Sequence, residues 1–117
     1  MSVPAFNLQR AERRIAAELA TRWRRILDNT SFIHGPEVTE FETAFASYLG
    51  VASTVAVANG TDALVVALRA LGVKPGDDVL VPAFSFYATA EAVLLVGATP
   101  VFCDVEAETL NIDPEDA

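Results

Sequence analysis

The chain has 117 residues, of which 52% are hydrophobic and 21% charged, and its formal net charge at pH 7 is −8. This length corresponds to one domain at most, and the balance of apolar and charged residues excludes a disordered or low-complexity chain. The acidic balance also argues against nucleic acid as a partner, because phosphate binding needs a basic surface.

Two further classes are excluded by what the chain contains. No apolar run approaches the roughly 20 residues that a membrane-spanning helix needs, and we expect neither a signal peptide nor a membrane partner. The single cysteine, Cys103, excludes a disulfide framework and a metal site built from several cysteines. The sequence therefore predicts a cytoplasmic α/β protein.

Two amphipathic helices are predicted first. Apolar residues recur every three or four positions over residues 8–28, and a second helix follows Pro36 and ends at Gly50. Residues 1–25 carry six Arg and two Glu, a local charge of +4. We interpret these arginines as a solvated helix face that packs on an acidic body rather than as an RNA-binding surface.

From residue 53 the pattern changes to short apolar strands that alternate with helices. The predicted elements are strands Ser53–Ala58, Asp78–Val81 and Thr99–Asp104, with helices Ala63–Leu71 and 86–96 between them. Strand starts 25 and 21 residues apart are typical of βαβ units, and continuous apolar strands are typical of a parallel sheet. The fold class is therefore α/β with parallel βαβ units and right-handed crossovers.

Two features predict that this chain is the opening part of a larger protein. The two helices between the strands have almost no polar face, which suggests that other protein covers them. Near the end of the chain, Asp113 and Pro114 have the residue types of an N-cap and a first helical position.

One candidate site lies after the first predicted strand. Gly60 lets the backbone approach an anion, the Thr61 hydroxyl can donate a hydrogen bond, and a helix N-terminus presents free N–H groups. Together with Asp62 this turn is a candidate phosphate site, although Gly-Thr-Asp is also an ordinary turn followed by an N-cap. The glycine fingerprints of dinucleotide-binding and P-loop proteins do not occur in the chain.

A second candidate follows the strand that ends at Val81. Phe84, Phe86 and Tyr87 place three aromatic rings within four residues, at the carboxyl end of a strand. Such rings can form a flat surface for a planar cofactor, and the alternative is that they fill the core.

The order of these motifs resembles the start of the DegT/DnrJ/EryC1/StrS family of sugar aminotransferases. The resemblance runs from about residue 3 to the last residue and rests on a series of motifs in order, namely Phe32-Ile33-x-Gly35-Pro36-x-Val38-x-x-Phe41-Glu42, Tyr48-Leu49-Gly50, Asn59-Gly60-Thr61-Asp62-Ala63-Leu64, Gly76-Asp77-x-Val79, Pro82-x-Phe84-Ser85-Phe86-x-Ala88-Thr89, Gly97-Ala98-x-Pro100-Val101-Phe102-x-Asp104 and Thr109-Leu110-Asn111-Ile112-Asp113.

The resemblance implies a fold-type-I enzyme that binds pyridoxal 5′-phosphate (PLP). By position, Gly60, Thr61 and Asp62 match the segment that holds the cofactor phosphate, and Phe86 matches the aromatic residue that stacks on the pyridine ring. Residues 1–50 are then an N-terminal helical segment and residues 51–117 the first part of the large PLP-binding domain. The implied reaction moves an amino group from an amino acid, usually glutamate, to a nucleotide-linked keto-sugar, in an active site between two subunits of a homodimer.

The catalytic residues of this chemistry are not expected in this chain. The Schiff-base lysine lies later in the family's sequence, and the only lysine here, Lys74, lies in a Gly-Val-Lys-Pro-Gly turn where we expect it to be solvated and away from the cofactor. We expect His34 to be an ordinary loop residue and Cys103 a buried, inert thiol. For Asp104, a structural role and a substrate-side role both stay open.

No metal site is predicted, because a solvated acidic loop explains the carboxylates after the last strand, Glu106, Glu108, Asp113, Glu115 and Asp116. The chain alone should not turn over. Two alternatives remain: a sugar dehydratase of the same family, in which histidine replaces the lysine, and a non-catalytic fragment that binds phosphate ligands or a partner chain. A dinucleotide-dependent oxidoreductase is a distant third.

Overall fold

The computed structural model describes residues 7–117; residues 1–6, where the predicted N-terminal helical segment begins, lie outside the described part. The described elements are helix α1 (Gln9–Asn29), helix α2 (Pro36–Leu49), helix α3 (Gly60–Ala70), strand β1 (Asp78–Pro82), helix α4 (Ala88–Leu95) and strand β2 (Thr99–Cys103). The chain divides into two compact units, an N-terminal unit up to Ala56 and a C-terminal unit from Val57 to Ala117. No helix within residues 7–117 combines the length and apolar character needed to cross a bilayer.

Helices α1 and α2 confirm the two amphipathic helices predicted for the N-terminal unit. Helix α2 begins with Pro36 at its first position, where the missing N–H costs nothing, and ends at Gly50, whose φ of 70° suits glycine. The large apolar residues of both helices remain exposed, among them Ile15, Leu19, Trp23, Phe41, Phe45 and Leu49. The predicted apolar stripes therefore exist but are not buried by the described residues.

Arginine side chains of α1 form ion pairs with acidic residues of α2. The Arg25 guanidinium donates to Glu37 Oε1 at 2.7 Å and to Glu40 Oε2 at 3.1 Å, while Arg22 lies 3.4 Å from Glu40. Arg22 and Arg25 of the predicted basic face thus contact acidic groups of α2. The backbone N–H of Glu37 and the nearby Arg25 guanidinium hold the pKa of the Glu37 carboxyl below its usual range, although partial burial opposes them.

We expect the contribution of Glu37 to stability to disappear in acid. A carboxyl whose pKa is lowered by folding stabilises the fold above its unfolded pKa of about 4.3, and loses that contribution as the pH falls through the folded value. Glu37→Gln should therefore lower the melting temperature at pH 7 more than at pH 3, measured by far-UV circular dichroism. Glu108→Gln, at an exposed position, is the control, and an equal loss for Glu37→Gln at both pH values would contradict the prediction.

The C-terminal unit contains a parallel βαβ unit. Strands β1 and β2 pair in parallel from Asp78 opposite Thr99 to Pro82 opposite Cys103, and α4 crosses between them. The core consists of Val81, Val93, Val96 and Ala98, against which residues of α3 pack. The α/β class with parallel βαβ units is thus confirmed.

Three predicted elements differ from the structure by more than one residue. Ser53–Ala58 is not a strand: it has no ladder partner within the described residues, and the N–H of Ala56 donates instead to Glu42 Oε1 at 2.7 Å. Helix α3 begins at Gly60, three residues early, because the predicted turn is itself the first helical turn. Helix α4 begins at Ala88, two residues late, because the preceding residues form the connection from β1.

The acidic segment after β2 folds back on itself. Val105 and Ile112 form an antiparallel bridge, and Glu106 Oε2 accepts a hydrogen bond from the Thr109 hydroxyl at 2.7 Å. Asp113 Oδ1 accepts the N–H of Glu115 at 2.9 Å, as an N-cap would, but only a turn follows. Helices α3 and α4 were predicted to have almost no polar face, and they do expose apolar side chains, among them Leu64, Val66, Leu94 and Leu95.

Candidate functional site

The start of α3 is held by a reciprocal pair of hydrogen bonds. Asn59 caps the helix: its Oδ1 accepts the N–H of Asp62 at 2.9 Å, and its Nδ2 donates to Asp62 Oδ2 at 3.0 Å. This pair resembles a capping box, in which the residue before the helix and the residue three positions later satisfy each other. Asp62 therefore fixes the turn, and both its N–H and one carboxylate oxygen are already used.

Two backbone donors at this helix end remain available. Within residues 7–117, neither the N–H of Gly60 nor that of Thr61 has a hydrogen-bond acceptor, and the Thr61 hydroxyl has no partner. A Cβ on Gly60 would meet no atom of the described residues beyond its own helix and sequence neighbours within 4 Å, and the φ of Gly60 is not in the left-handed region. The fold of residues 7–117 therefore does not require glycine here. Free N–H groups at the positive end of a helix, with open space in front of them, fit a phosphate group.

The aromatic loop lies between β1 and α4. Phe84, Phe86 and Tyr87 are 69%, 80% and 73% exposed, so the alternative that they fill the core is wrong for the described chain. No aromatic ring of residues 7–117 stacks on Phe86. The loop therefore presents an uncovered ring that can take a planar ligand.

The connectivity places both loops at one end of the C-terminal unit. Helix α3 leads into the amino end of β1 and α4 into the amino end of β2, and the two helices pack against each other. Their N-termini therefore point towards the carboxyl ends of the strands. Gly60, Thr61 and Asp62 are thus brought to the same end of the sheet as Phe86, the end where α/β proteins bind ligands.

Lys74 lies at the opposite end. It is in the turn before the amino end of β1, its side chain is 72% exposed, and its Nζ lies 2.9 Å from Asp77 Oδ1. Hydrogen bonds from the Lys74 side chain and N–H hold the pKa of the Asp77 carboxyl below its usual range. The expectation that Lys74 is solvated and away from the candidate site is confirmed.

The remaining candidate residues have structural surroundings. Asp104 Oδ1 accepts the N–H of Val105 at 2.8 Å, and the Asp104 N–H donates to Asp116 Oδ2 at 2.7 Å, which supports a structural role. His34 is exposed in the turn before α2, at a φ of 49°. Cys103 is 2% exposed, and its thiol points at the Val81 carbonyl at 3.6 Å, which confirms its burial.

Three residues of this end were not assigned as site residues from the sequence. Asn59 fixes the first turn of α3, and its signal was an Asn three positions before an Asp at the start of an apolar helix. The hydroxyl groups of Ser85 and Thr89 lie 2.8 Å apart on either side of Phe86. Their spacing of four residues was visible in the sequence, but nothing there showed that the two side chains meet.

Comparison with known proteins gives a consistent result. The sequence model of the DegT/DnrJ/EryC1/StrS aminotransferase family matches residues 13–117. The chain is 43% identical over 110 residues to a UDP-2-acetamido-2-deoxy-3-oxo-D-glucuronate aminotransferase of Pseudomonas aeruginosa, covering 94% of this chain and 31% of that protein. It is 50% identical over 105 residues to a UDP-N-acetyl-3-dehydro-alpha-D-glucosamine 3-aminotransferase of Acidithiobacillus ferrooxidans, covering 90% of this chain and 28% of that protein.

Among solved structures, the chain is similar to NtdA of Bacillus subtilis, crystallised with the bound cofactor PMP. The TM-score is 0.90 at 34% identity, and the alignment covers 98% of this chain and 27% of that one. The chain thus spans less than a third of the length of each of these three proteins.

Proposed function

The chain belongs to the DegT/DnrJ/EryC1/StrS aminotransferase family, and from this premise we propose that it forms the N-terminal portion of a PLP-dependent sugar aminotransferase. The observation that carries the proposal is the start of α3: within residues 7–117 the N–H groups of Gly60 and Thr61 have no acceptor, and a Cβ on Gly60 would meet open space. The exposed aromatic loop lies at the same end of the C-terminal unit. Residues 1–50 would form the N-terminal helical segment, and residues 51–117 the first part of the large PLP-binding domain.

Each site residue has a distinct role in this proposal. The N–H groups of Gly60 and Thr61, with the Thr61 hydroxyl, would bind the cofactor phosphate, while Asp62 keeps the turn in shape through Asn59. Phe86 would stack on the pyridine ring and fix its plane. When bound, PLP supplies an electron sink for amino-group transfer. The chain itself contributes binding and orientation, and it contains no lysine at this end of the sheet.

The substrates are proposed from the relatives. Two relatives named above act on UDP-linked sugars that carry a keto group at carbon 3. We therefore assign this protein a nucleotide-linked keto-sugar as acceptor and an amino acid, with glutamate as the first candidate, as donor. The test is the protein at its full encoded length, incubated with PLP, glutamate and UDP-linked 3-keto-sugars, with 2-oxoglutarate as the measured product. Release of more than one equivalent of 2-oxoglutarate per protein chain, dependent on both PLP and the keto-sugar, supports the proposal. Its absence from a PLP-loaded protein rejects amino-group transfer from glutamate to these sugars.

We further propose a cytoplasmic homodimer. Helices α3 and α4 expose apolar side chains, such as Leu64 and Leu94, that no described residue covers. These side chains support the proposal that a second subunit covers them. The single buried cysteine suits a reducing compartment.

Lys74 should not form a covalent linkage with PLP. We expect PLP to bind the 117-residue chain weakly and through its phosphate, and borohydride, which makes a reversible lysine–PLP linkage permanent, to leave Lys74 unmodified in peptide mapping by mass spectrometry. The reason is that Lys74 is solvated, paired with Asp77 and at the far end of the sheet. Lys74→Arg provides the background labelling of the N-terminal amine. Stoichiometric labelling confined to Lys74 would contradict this assignment.

A further inference from the structure

The backbone around Phe86 is fixed although its ring is exposed. At the start of the loop, the N–H of Ala83 donates to the Cys103 carbonyl at 2.8 Å and extends the parallel ladder beyond β1. At its end, the N–H of Thr89 donates to the Phe86 carbonyl at 3.0 Å. The ring is 80% exposed, so packing of the ring within this chain does not hold the residue in place.

The hydroxyl groups of Ser85 and Thr89 form a second hydrogen bond, which spans Phe86. The two oxygens lie 2.8 Å apart, and within residues 7–117 neither hydroxyl has another hydrogen-bond partner. Thr89 therefore holds Phe86 twice, through its own N–H and through the side chain of the residue before Phe86. The two bonds restrict the backbone that carries the ring.

A serine just before a helix ordinarily caps it by accepting an N–H of the first turn. Ser85 does not: helix α4 has Tyr87 at its N-cap position and no side-chain cap. The Ser85 hydroxyl is bonded across Phe86 instead of to the helix. Because the bond is exposed to water, its contribution to folding is small. What the bond does is restrict the conformation of the aromatic loop.

We infer that Ser85 and Thr89 are positioning residues, whose hydroxyl–hydroxyl bond across Phe86 sets that ring at the angle needed to stack on the PLP pyridine ring. This inference rests on the proposed function. Neither residue needs to touch the cofactor: the pair limits the conformations of the loop, so that less freedom is lost when the ring becomes covered.

The test compares Ser85→Ala, Thr89→Val and the double variant in the protein at its full encoded length. PLP affinity is measured on apo-protein by equilibrium dialysis, and the induced circular dichroism of PLP at saturation reports the orientation of its ring. Thr89→Val keeps the shape of the side chain and removes only the hydroxyl. Thr21→Val is the matched control, since the Thr21 hydroxyl bonds the Ala17 carbonyl within α1 at 3.0 Å. Phe86→Ala shows how much PLP affinity is lost when the ring itself is removed.

Each single variant should weaken PLP binding by about 3- to 10-fold, the cost expected when roughly one more side chain must be ordered on binding. The double variant should be no weaker than the singles, because one bond is shared, and the induced dichroism should change. Thr21→Val should bind as the wild type does.

The inference is overturned if Ser85→Ala and Thr89→Val keep wild-type affinity and dichroism while Phe86→Ala loses affinity; the proposed function would then stand without the positioning pair. It is equally overturned if the variants lower only the melting temperature of the apo-protein, since the pair would then be structural. A wild-type protein that does not bind PLP would reject the proposed function and the inference together.

Discussion

Gly60→Val is expected to weaken PLP binding by about 10- to 100-fold with little effect on the fold, the loss expected when one or two charge-assisted hydrogen bonds are not made. A Cβ at the first residue of a helix projects beyond the helix N-terminus. At Gly60, apart from its two sequence neighbours and the backbone of its own helix, this Cβ meets no atom of residues 7–117 within 4 Å, and the backbone there is helical. The added side chain would occupy the space in which a phosphate accepts the N–H groups of Gly60 and Thr61.

Pyridoxal is the control ligand that distinguishes a loss of phosphate binding from a loss of affinity for the whole cofactor. Pyridoxal lacks the phosphate, so its weaker binding should be the same in the wild type and in Gly60→Val. Affinities measured by equilibrium dialysis at the full encoded length test both ligands side by side. A variant that loses pyridoxal and PLP equally would contradict the assignment of the phosphate to this helix end, and a large fall in melting temperature would point to folding instead.

Gly97→Ala is expected to destabilise the C-terminal unit by about 2–4 kcal/mol. The φ of Gly97 is 83°, where an L-residue costs about 1–2 kcal/mol. A Cβ there also lies 2.9 Å from Cγ of Pro75, which belongs to a stiff ring, and the displacement of that ring adds a comparable cost. This cost is a large part of the 5–15 kcal/mol that holds a typical domain together.

Gly72→Ala is the control that separates the cost of the positive φ from the cost of the contact with Pro75. Gly72 has the same φ of 83°, and in the described part of the chain a Cβ there meets nothing within 4 Å beyond its sequence neighbours. Both glycines end a helix in the same way: Gly97 N–H bonds the Leu94 carbonyl, and Gly72 N–H the Arg69 carbonyl. Urea unfolding should show a loss of about 1–2 kcal/mol for Gly72→Ala, from φ alone, and more for Gly97→Ala. Equal losses would mean that Pro75 moves away without cost.

These two glycines show how the connections place the candidate site. Gly72 ends α3 shortly before β1, and Gly97 ends α4 shortly before β2. Because each helix ends near the amino end of the strand that follows it, both helices start at the other end of the unit. Stability at the Gly72 and Gly97 turns and ligand binding at Gly60 and Phe86 are therefore expected to respond to different substitutions.

Local chemistry accounts for what the sequence alone determined. Spacing of apolar residues predicted both N-terminal helices, Pro36 and Gly50 fixed the ends of α2, and the regular alternation predicted a parallel βαβ unit. The turn at Gly60–Asp62 and the aromatic loop were found because turn residues and clustered rings are visible without any contact. The isolation of Lys74 followed from its Gly-Pro-rich turn, since such a turn lies on the surface.

Only the tertiary structure decided which groups have partners. Ser53–Ala58 has the composition of a strand, but a strand exists only where another segment accepts its hydrogen bonds, and within residues 7–117 no segment does. In the same way, packing decided that the rings of Phe84 and Phe86 stay exposed and that Ser85 meets Thr89 rather than capping α4. Composition sets what a residue can bind, whereas the positions of its neighbours in space decide what it does bind.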